Sequence, residues 1–153
     1  DVKPTVSIEL KQTLVTFAYL VNAPVNHTGA MLCAQCSVSR VVIDSLVKYF
    51  RRNYRYSGTL VLGYLSRKGI KIVAGRGSGT DTDKVTLKLK RGEFEQIKAL
   101  AYGLDITHTS TCALLLKIAL TDKHFIEEHI DGWLLGRAEY AVRDLLGLGM
   151  VQK

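Results

Sequence analysis

The sequence predicts an α+β protein, mostly helical, with two strand-helix-helix units whose short antiparallel strands pair, plus a C-terminal helix. Three observations predict it. Two short stretches alternate apolar and polar residues, the period of a half-buried strand. Each is followed by apolar residues at three- and four-residue spacing, the period of one helix face. The same order of elements occurs twice along the 153 residues.

Val6-Ser7-Ile8-Glu9-Leu10-Lys11 alternates and reads as the first strand. Leu14, Phe17, Ala18 and Val21 then mark a helix. Asn22-Ala23-Pro24 ends it, because proline disfavours continuation. Asn26 or Thr28 is expected to cap a helix towards Cys36. Val41, Val42, Ser45, Leu46 and Tyr49 give a further helical period after Ser37-Val38-Ser39-Arg40. Residues 59–65 and 70–73 flank Ser66-Arg67-Lys68-Gly69 and read as a β-hairpin; a short helix capped by Ser57 competes with it.

In the second half Val85-Thr86-Leu87-Lys88-Leu89-Lys90 alternates again. Phe94, Ile97, Leu100 and Ala101 mark a helix, with Gly103 as its expected stop. Asp105 or Thr107 is expected to cap the next, through Leu114, Leu115, Ile118 and Ala119. Residues 121–130 read as an acidic helix broken at Gly132, and 137–146 as a last amphipathic helix. The Gly, Ser, Thr and Asp of 74–83 read as a linker. The division is therefore 1–73, a first unit with a basic extension; 74–83, the linker; and 84–153, a second unit with the C-terminal helix. No Gly-Lys-Ser/Thr ending follows the linker glycines, which excludes a phosphate-binding loop.

Composition places the chain among globular proteins, with 47% hydrophobic and 23% charged residues. No apolar run approaches the ~20 residues of a membrane span, and no N-terminal signal pattern is visible. Three cysteines, an odd count, read as reduced thiols. The expectation is a cytoplasmic or nucleoid-associated protein. The net charge of +7 favours polyanionic partners, nucleic acid before membrane.

That charge is concentrated. Between Ser45 and Thr80 lie Lys48, Arg51, Arg52, Arg55, Arg67, Lys68, Lys71 and Arg76, without one Asp or Glu. Tyr49, Tyr54, Tyr56 and Tyr64 are interleaved among them, a mixture suited to phosphate contacts and base stacking. A solvated basic face is the plainer reading of the same residues.

The two halves match in order. Val6–Lys11 parallels 85–90, and Val25-Asn26-His27-Thr28-Gly29 parallels Ile106-Thr107-His108-Thr109-Ser110. This indicates an internal duplication. A six-residue alternating strand followed by two helices resembles the ribbon-helix-helix family of DNA-binding proteins, better over 85–120 than over 6–50. The resemblance implies that two units interlock as a single-chain pseudodimer, with paired strands in the DNA major groove. Thr86, Lys88 and Lys90 from one strand, and Ser7, Glu9 and Lys11 from the other, would then face the bases, on a non-palindromic site. Thr109 and Ser110, at the start of a second helix, would meet a phosphate, as would Thr28 and Gly29. Arg51, Arg52, Arg55, Arg67, Lys68, Lys71 and Arg76 would add phosphate contacts outside the ribbon. The partner expected is duplex DNA, met by a monomer or homodimer, in transcriptional regulation, plasmid transfer or partition, or genome packaging. An RNA or single-strand binder, stacking bases on tyrosines, is the first rival. A protein-interaction adaptor with incidental charge is the second.

Other constellations are weaker. His27, Cys33 and Cys36, with His108 and Cys112, suggest zinc, but structural zinc takes two ligand pairs and one Cys-x-x-Cys is present. Cys112 beside His108 or His124 has no activating surroundings legible in sequence. Asp122, Glu127, Glu128, Asp131, Glu139 and Asp144 read as a solvated face, or as a partner surface anchored by Trp133, Leu134 and Leu135. No catalytic residue, metal or cofactor is expected, and the chain does not read as an enzyme.

Overall fold

Serine, threonine and aspartate side chains cap four of the six described α-helix starts in this computed structural model, which describes residues 1–70 and 81–134, with side chains up to His129. Ser7 accepts the Leu10 N–H at 3.1 Å and opens α1, Ile8–Val21. This shortens the first strand, β1, to Thr5–Ser7. The alternation expected through Lys11 therefore gives way to the helical period of Leu10, Leu14 and Phe17, because a capped helix satisfies its own amides and a lone strand does not.

Asn22 ends α1 in the left-handed conformation that Asn tolerates. Helix α2 (Val25–Ser37) follows with Pro24 as its N-cap, so Asn26 and Thr28 lie inside it rather than capping it. A break at Val38 separates α3 (Arg40–Leu46), whose Ser39 cap accepts from Val42, and a 3-10 turn over Val47–Tyr49.

The hairpin exists but is displaced from its expected place. Its strands are β2 (Tyr54–Tyr56) and β3 (Thr59–Val61), paired antiparallel. Ser57 and Gly58 both take positive φ, the mirror-image turn that suits strand twist. Ser57 thus makes a turn, not a helix cap. Of the expected second strand at 70–73, only Ile70 lies among the described residues, outside any strand.

Strand β4 (Thr82–Lys84) takes in the last two residues expected in the linker. Helix α4 (Arg91–Leu104) runs through Gly103 and ends at left-handed Asp105, so neither residue plays its expected part. Thr107 caps α5 (His108–Thr121), accepting from Ser110 at 3.1 Å. Asp122 accepts from His124 and Phe125 and opens α6 (Lys123–Leu134), which continues past Gly132. The expected helix at 137–146, with Glu139 and Asp144, lies outside the described residues, as do Leu135 and the side chains of Asp131, Trp133 and Leu134.

The twofold order of elements is more regular in three dimensions than in sequence. Ile8 to Arg91, Val25 to His108 and Arg40 to Lys123 are the same 83 positions apart. Residues matched by that shift are buried together: Leu14 and Ile97, Phe17 and Leu100, Leu32 and Leu115, Val42 and Phe125, Ile43 and Ile126. One hydrophobic core contains both sets, with α2 packed along α5 at its centre. Each such side chain is worth ~1.5–3 kcal/mol of burial, so neither half has a separate core to fold around.

Candidate nucleic-acid interface

β1 pairs antiparallel with β4, Thr5 opposite Lys84 and Ser7 opposite Thr82. The ribbon extends to a Val2–Leu87 bridge, closed by N–H···O bonds of 3.1 and 2.8 Å, and Val85 N–H donates to Pro4 at 3.1 Å. The same register sets Lys3 opposite Thr86. Side chains alternate between faces. Val2, Pro4, Val6, Val85 and Leu87 are buried in the core. Lys3, Thr5, Lys84 and Lys88 are exposed on the other face, with Thr86 half-buried between them. A lone two-stranded ribbon is marginal in water; this one is held by its buried face.

Thr86 and Lys88 therefore stand where sequence reasoning expected them. Ser7 ends β1 on that same face, while Lys90, Glu9 and Lys11 do not lie on the strands. Lys90 is the N-cap of α4, and its N–H donates to Glu93 at 2.9 Å. The Ser7 hydroxyl is taken up in capping α1, and Glu9 and Lys11 belong to that helix. Lys11 reaches Asp83 at 2.8 Å. The cause is a four-residue error in register: the strand equivalent to Val85–Lys90 is Val2–Ser7, not Val6–Lys11. Lys84 was missed because β4 begins at Thr82, ahead of the expected start at Val85, and Lys3 and Thr5 were missed through that register error. Their signal was present in Val2-Lys3-Pro4-Thr5-Val6, but Pro4 argues against a strand unless the strand lies at an edge.

Charge on the ribbon is lopsided. Asp83 accepts from Lys11 and from the Lys84 N–H, and these bonds hold its carboxyl below its ordinary value. Lys3, Lys84 and Lys88 form no ion pair among the described residues. Beside the ribbon, Lys88 N–H donates to Asn26 in the first turn of α2 at 3.2 Å. Thr109 and Ser110 occupy the equivalent turn of α5, their hydroxyls within 3.2 and 3.0 Å of the Thr107 hydroxyl. In α2 itself, Thr28 and Gly29 are buried.

The central basic stretch is used differently from expectation. Arg51 and Arg52 reach the carboxylate of Asp105 at 2.9 and 3.0 Å. Their backbone N–H groups both donate to Gly103, and Arg52 also stacks on Tyr102. The Arg67 guanidinium donates to the carbonyls of Val47, Phe50 and Leu62 at 2.7, 3.3 and 3.4 Å. These three arginines hold the chain together instead of standing free for phosphate. Lys48, Arg55 and Lys68 are exposed, and Lys71 and Arg76 lie outside the described residues.

The tyrosines also have internal duties. Tyr54 is buried, stacks on Phe50 and bonds to Gln96; burial pushes its hydroxyl above the ordinary range. Tyr56 donates to the Val38 carbonyl at 2.8 Å, and Arg67 lies over Tyr64. Stacked bases would find few free rings here.

The three thiols lie in the α2–α5 seam. Cys33 and Cys36 point at the carbonyls of Cys112 and Leu115, at 3.6 and 3.5 Å. Burial pushes both well above the usual thiol range. His27 is exposed and His108 stands edge-on to Phe94, so they do not join the cysteines. No group of three metal-ligating side chains is found among the described residues. No single helix among them is long and apolar enough to cross a membrane. Comparison with protein-family models, curated proteins and solved structures finds no match for this chain.

Proposed function

We propose that this chain is a non-catalytic duplex-DNA-binding protein, a single-chain counterpart of a ribbon-helix-helix dimer, which lays its two-stranded ribbon in the major groove. The observation that carries this reading is the outer face of the ribbon: Lys3, Thr5, Lys84, Thr86 and Lys88 on a strand pair whose other face is anchored in the core. A two-stranded ribbon fits the ~12 Å major groove. Lysine ammonium groups reach guanine O6 and N7, and threonine offers both a hydroxyl and a methyl. The starts of α2 and α5 present N–H groups on which phosphates rest and fix the register. Regulation of transcription, DNA transfer or partition, and packaging are the processes that use such a binder.

Labelled duplex and single strand, titrated at two salt concentrations, test this. Duplex is expected to bind more tightly and to weaken steeply with salt, through counterion release. Replacing Lys3, Lys84 or Lys88 by Ala is expected to lower discrimination at one base position by ~1–3 kcal/mol without lowering thermal stability. Equal binding of both nucleic acids, or a triple lysine variant that keeps its sequence preference, would sink the proposal.

A further inference from the structure

Residues 60–65 expose a run of apolar side chains: Leu60 at 46%, Leu62 at 50%, Tyr64 at 50% and Leu65 at 64%. The segment is held in place. Tyr64 N–H donates to Phe50 at 3.1 Å, Gly63 N–H to the Asn53 side chain at 2.9 Å, and Arg67 clasps the Leu62 carbonyl. Gly63 lies so close to the Arg52 backbone that a Cβ would collide with it. The leucines are thus displayed by a braced loop.

The hairpin has an open edge. Tyr56–Thr59 closes the two-residue turn as a hydrogen-bonded pair, so at Arg55–Leu60 the Leu60 N–H and C=O face away from β2. No third strand covers them among the described residues. The charge along this stretch of chain has one sign. Arg55 sits across from Leu60, Lys68 follows Leu65, both are exposed, and no carboxylate occurs anywhere from Ser45 to Thr80. This surface is also remote from the ribbon along the fold. The stretch is pinned to α4 at Gly103 and Asp105, the end farthest from the ribbon, and the 14 residues of that helix span ~20 Å.

We propose that the edge from Leu60 to Leu65 is a docking site for an extended, acidic segment of another protein. The segment adds to β3 as a strand and pairs with the Leu60 peptide group. Its alternate apolar side chains cover Leu60 and Leu62, its end reaches Leu65, and its carboxylates meet Arg55 and Lys68. Charge complementarity selects this occupant. A second copy of the chain would bring like charge to the same rim. A nucleic acid would meet Arg55 and Lys68 but leave the leucines without an apolar partner. The proposal does not depend on DNA binding through the ribbon.

The probe is a short synthetic peptide alternating leucine and glutamate, with a leucine–lysine peptide as control. Fluorescence anisotropy is expected to show binding of the acidic peptide only, weakening with salt, and amide exchange at Leu60 is expected to slow when it binds. Leu62→Glu, on an exposed site and with an unchanged circular dichroism spectrum, is expected to weaken the peptide at least tenfold and to leave duplex DNA affinity as it was. Leu62→Ala, which adds no charge, is expected to weaken it less. Equal binding of the basic peptide, or of Leu62→Glu, overturns the proposal. So does a loss of duplex affinity in Leu62→Glu, which makes the patch a nucleic-acid surface. A dimer that dissociates in Leu62→Glu overturns it too, by assigning the patch to self-association.

Discussion

Lys3, Lys84 and Lys88 on the ribbon and Arg51, Arg52 and Arg67 in the central stretch carry the same charge but touch different things. The ribbon lysines stand on alternate positions of strands whose other face is core, and solvent surrounds them. The arginines bind Asp105 and backbone carbonyls, and they tie residues 50–67 to the end of α4. Guanidinium groups suit that task, because their planar donors reach several carbonyls at once. A basic stretch without acids looks like a polyanion site when residues are counted along the chain. Half of its described cations turn out to be fasteners. Charge density in sequence therefore overstates how many of these cations are free, whereas the sparser lysines of the strand pair form no ion pair among the described residues.

Three variants test that contrast, beginning with the largest effect. Phe50→Ala removes a fully buried ring packed against Gly103 and Tyr54, and is expected to cost ~3–5 kcal/mol. Urea unfolding measures this. Duplex affinity per folded molecule is expected to hold, and a drop matching that of the ribbon lysine variants would erase the distinction between the regions. Arg67→Ala deletes the Nη1 donor shared among the Val47, Phe50 and Leu62 carbonyls, from a partly exposed side chain, an expected loss of roughly 1–3 kcal/mol. The melting temperature should fall by a few degrees for a chain of this size, whereas Lys88→Ala should leave it in place. An Arg67 variant as stable as the parent would return that residue to the free cations.

The smallest effect concerns pH. Lys11 and the Lys84 N–H lower the Asp83 carboxyl from its ordinary 3.8. Its contribution to stability is thus present above that value and lost as pH falls through the lowered folded-state value. The pair is exposed, so the change is slight. Asp83→Asn is expected to flatten the acid limb of the stability profile; an unchanged limb would mean that the clip between β4 and α1 is inert.

The helix periods around Leu14–Val21, Phe94–Ala101 and Leu114–Ala119 were legible because burial of one face repeats locally every three to four residues. The twofold order of elements and the outward placing of Thr86 and Lys88 were legible for similar reasons. What escaped was strand register. Val2–Ser7 and Val6–Lys11 alternate equally well, and the choice between them was made by Ser7 capping a helix and by Leu87 meeting Val2 across the ribbon. The hairpin slipped likewise, because Ser57-Gly58 and Ser66–Gly69 both supply turn residues and only the packing of Phe50 and Tyr54 on α4 selects the first.

By itself, then, the sequence determined which segments coil, that the pattern repeats, and that the whole carries excess positive charge, since these follow from neighbours a few residues apart. The tertiary structure alone decided which strands pair, in which register, and which cations are consumed by carboxylates and carbonyls. Many of those outcomes depend on contacts between residues some 50 to 80 positions apart, such as Arg52 with Asp105 and Thr5 with Lys84, and no local period encodes them.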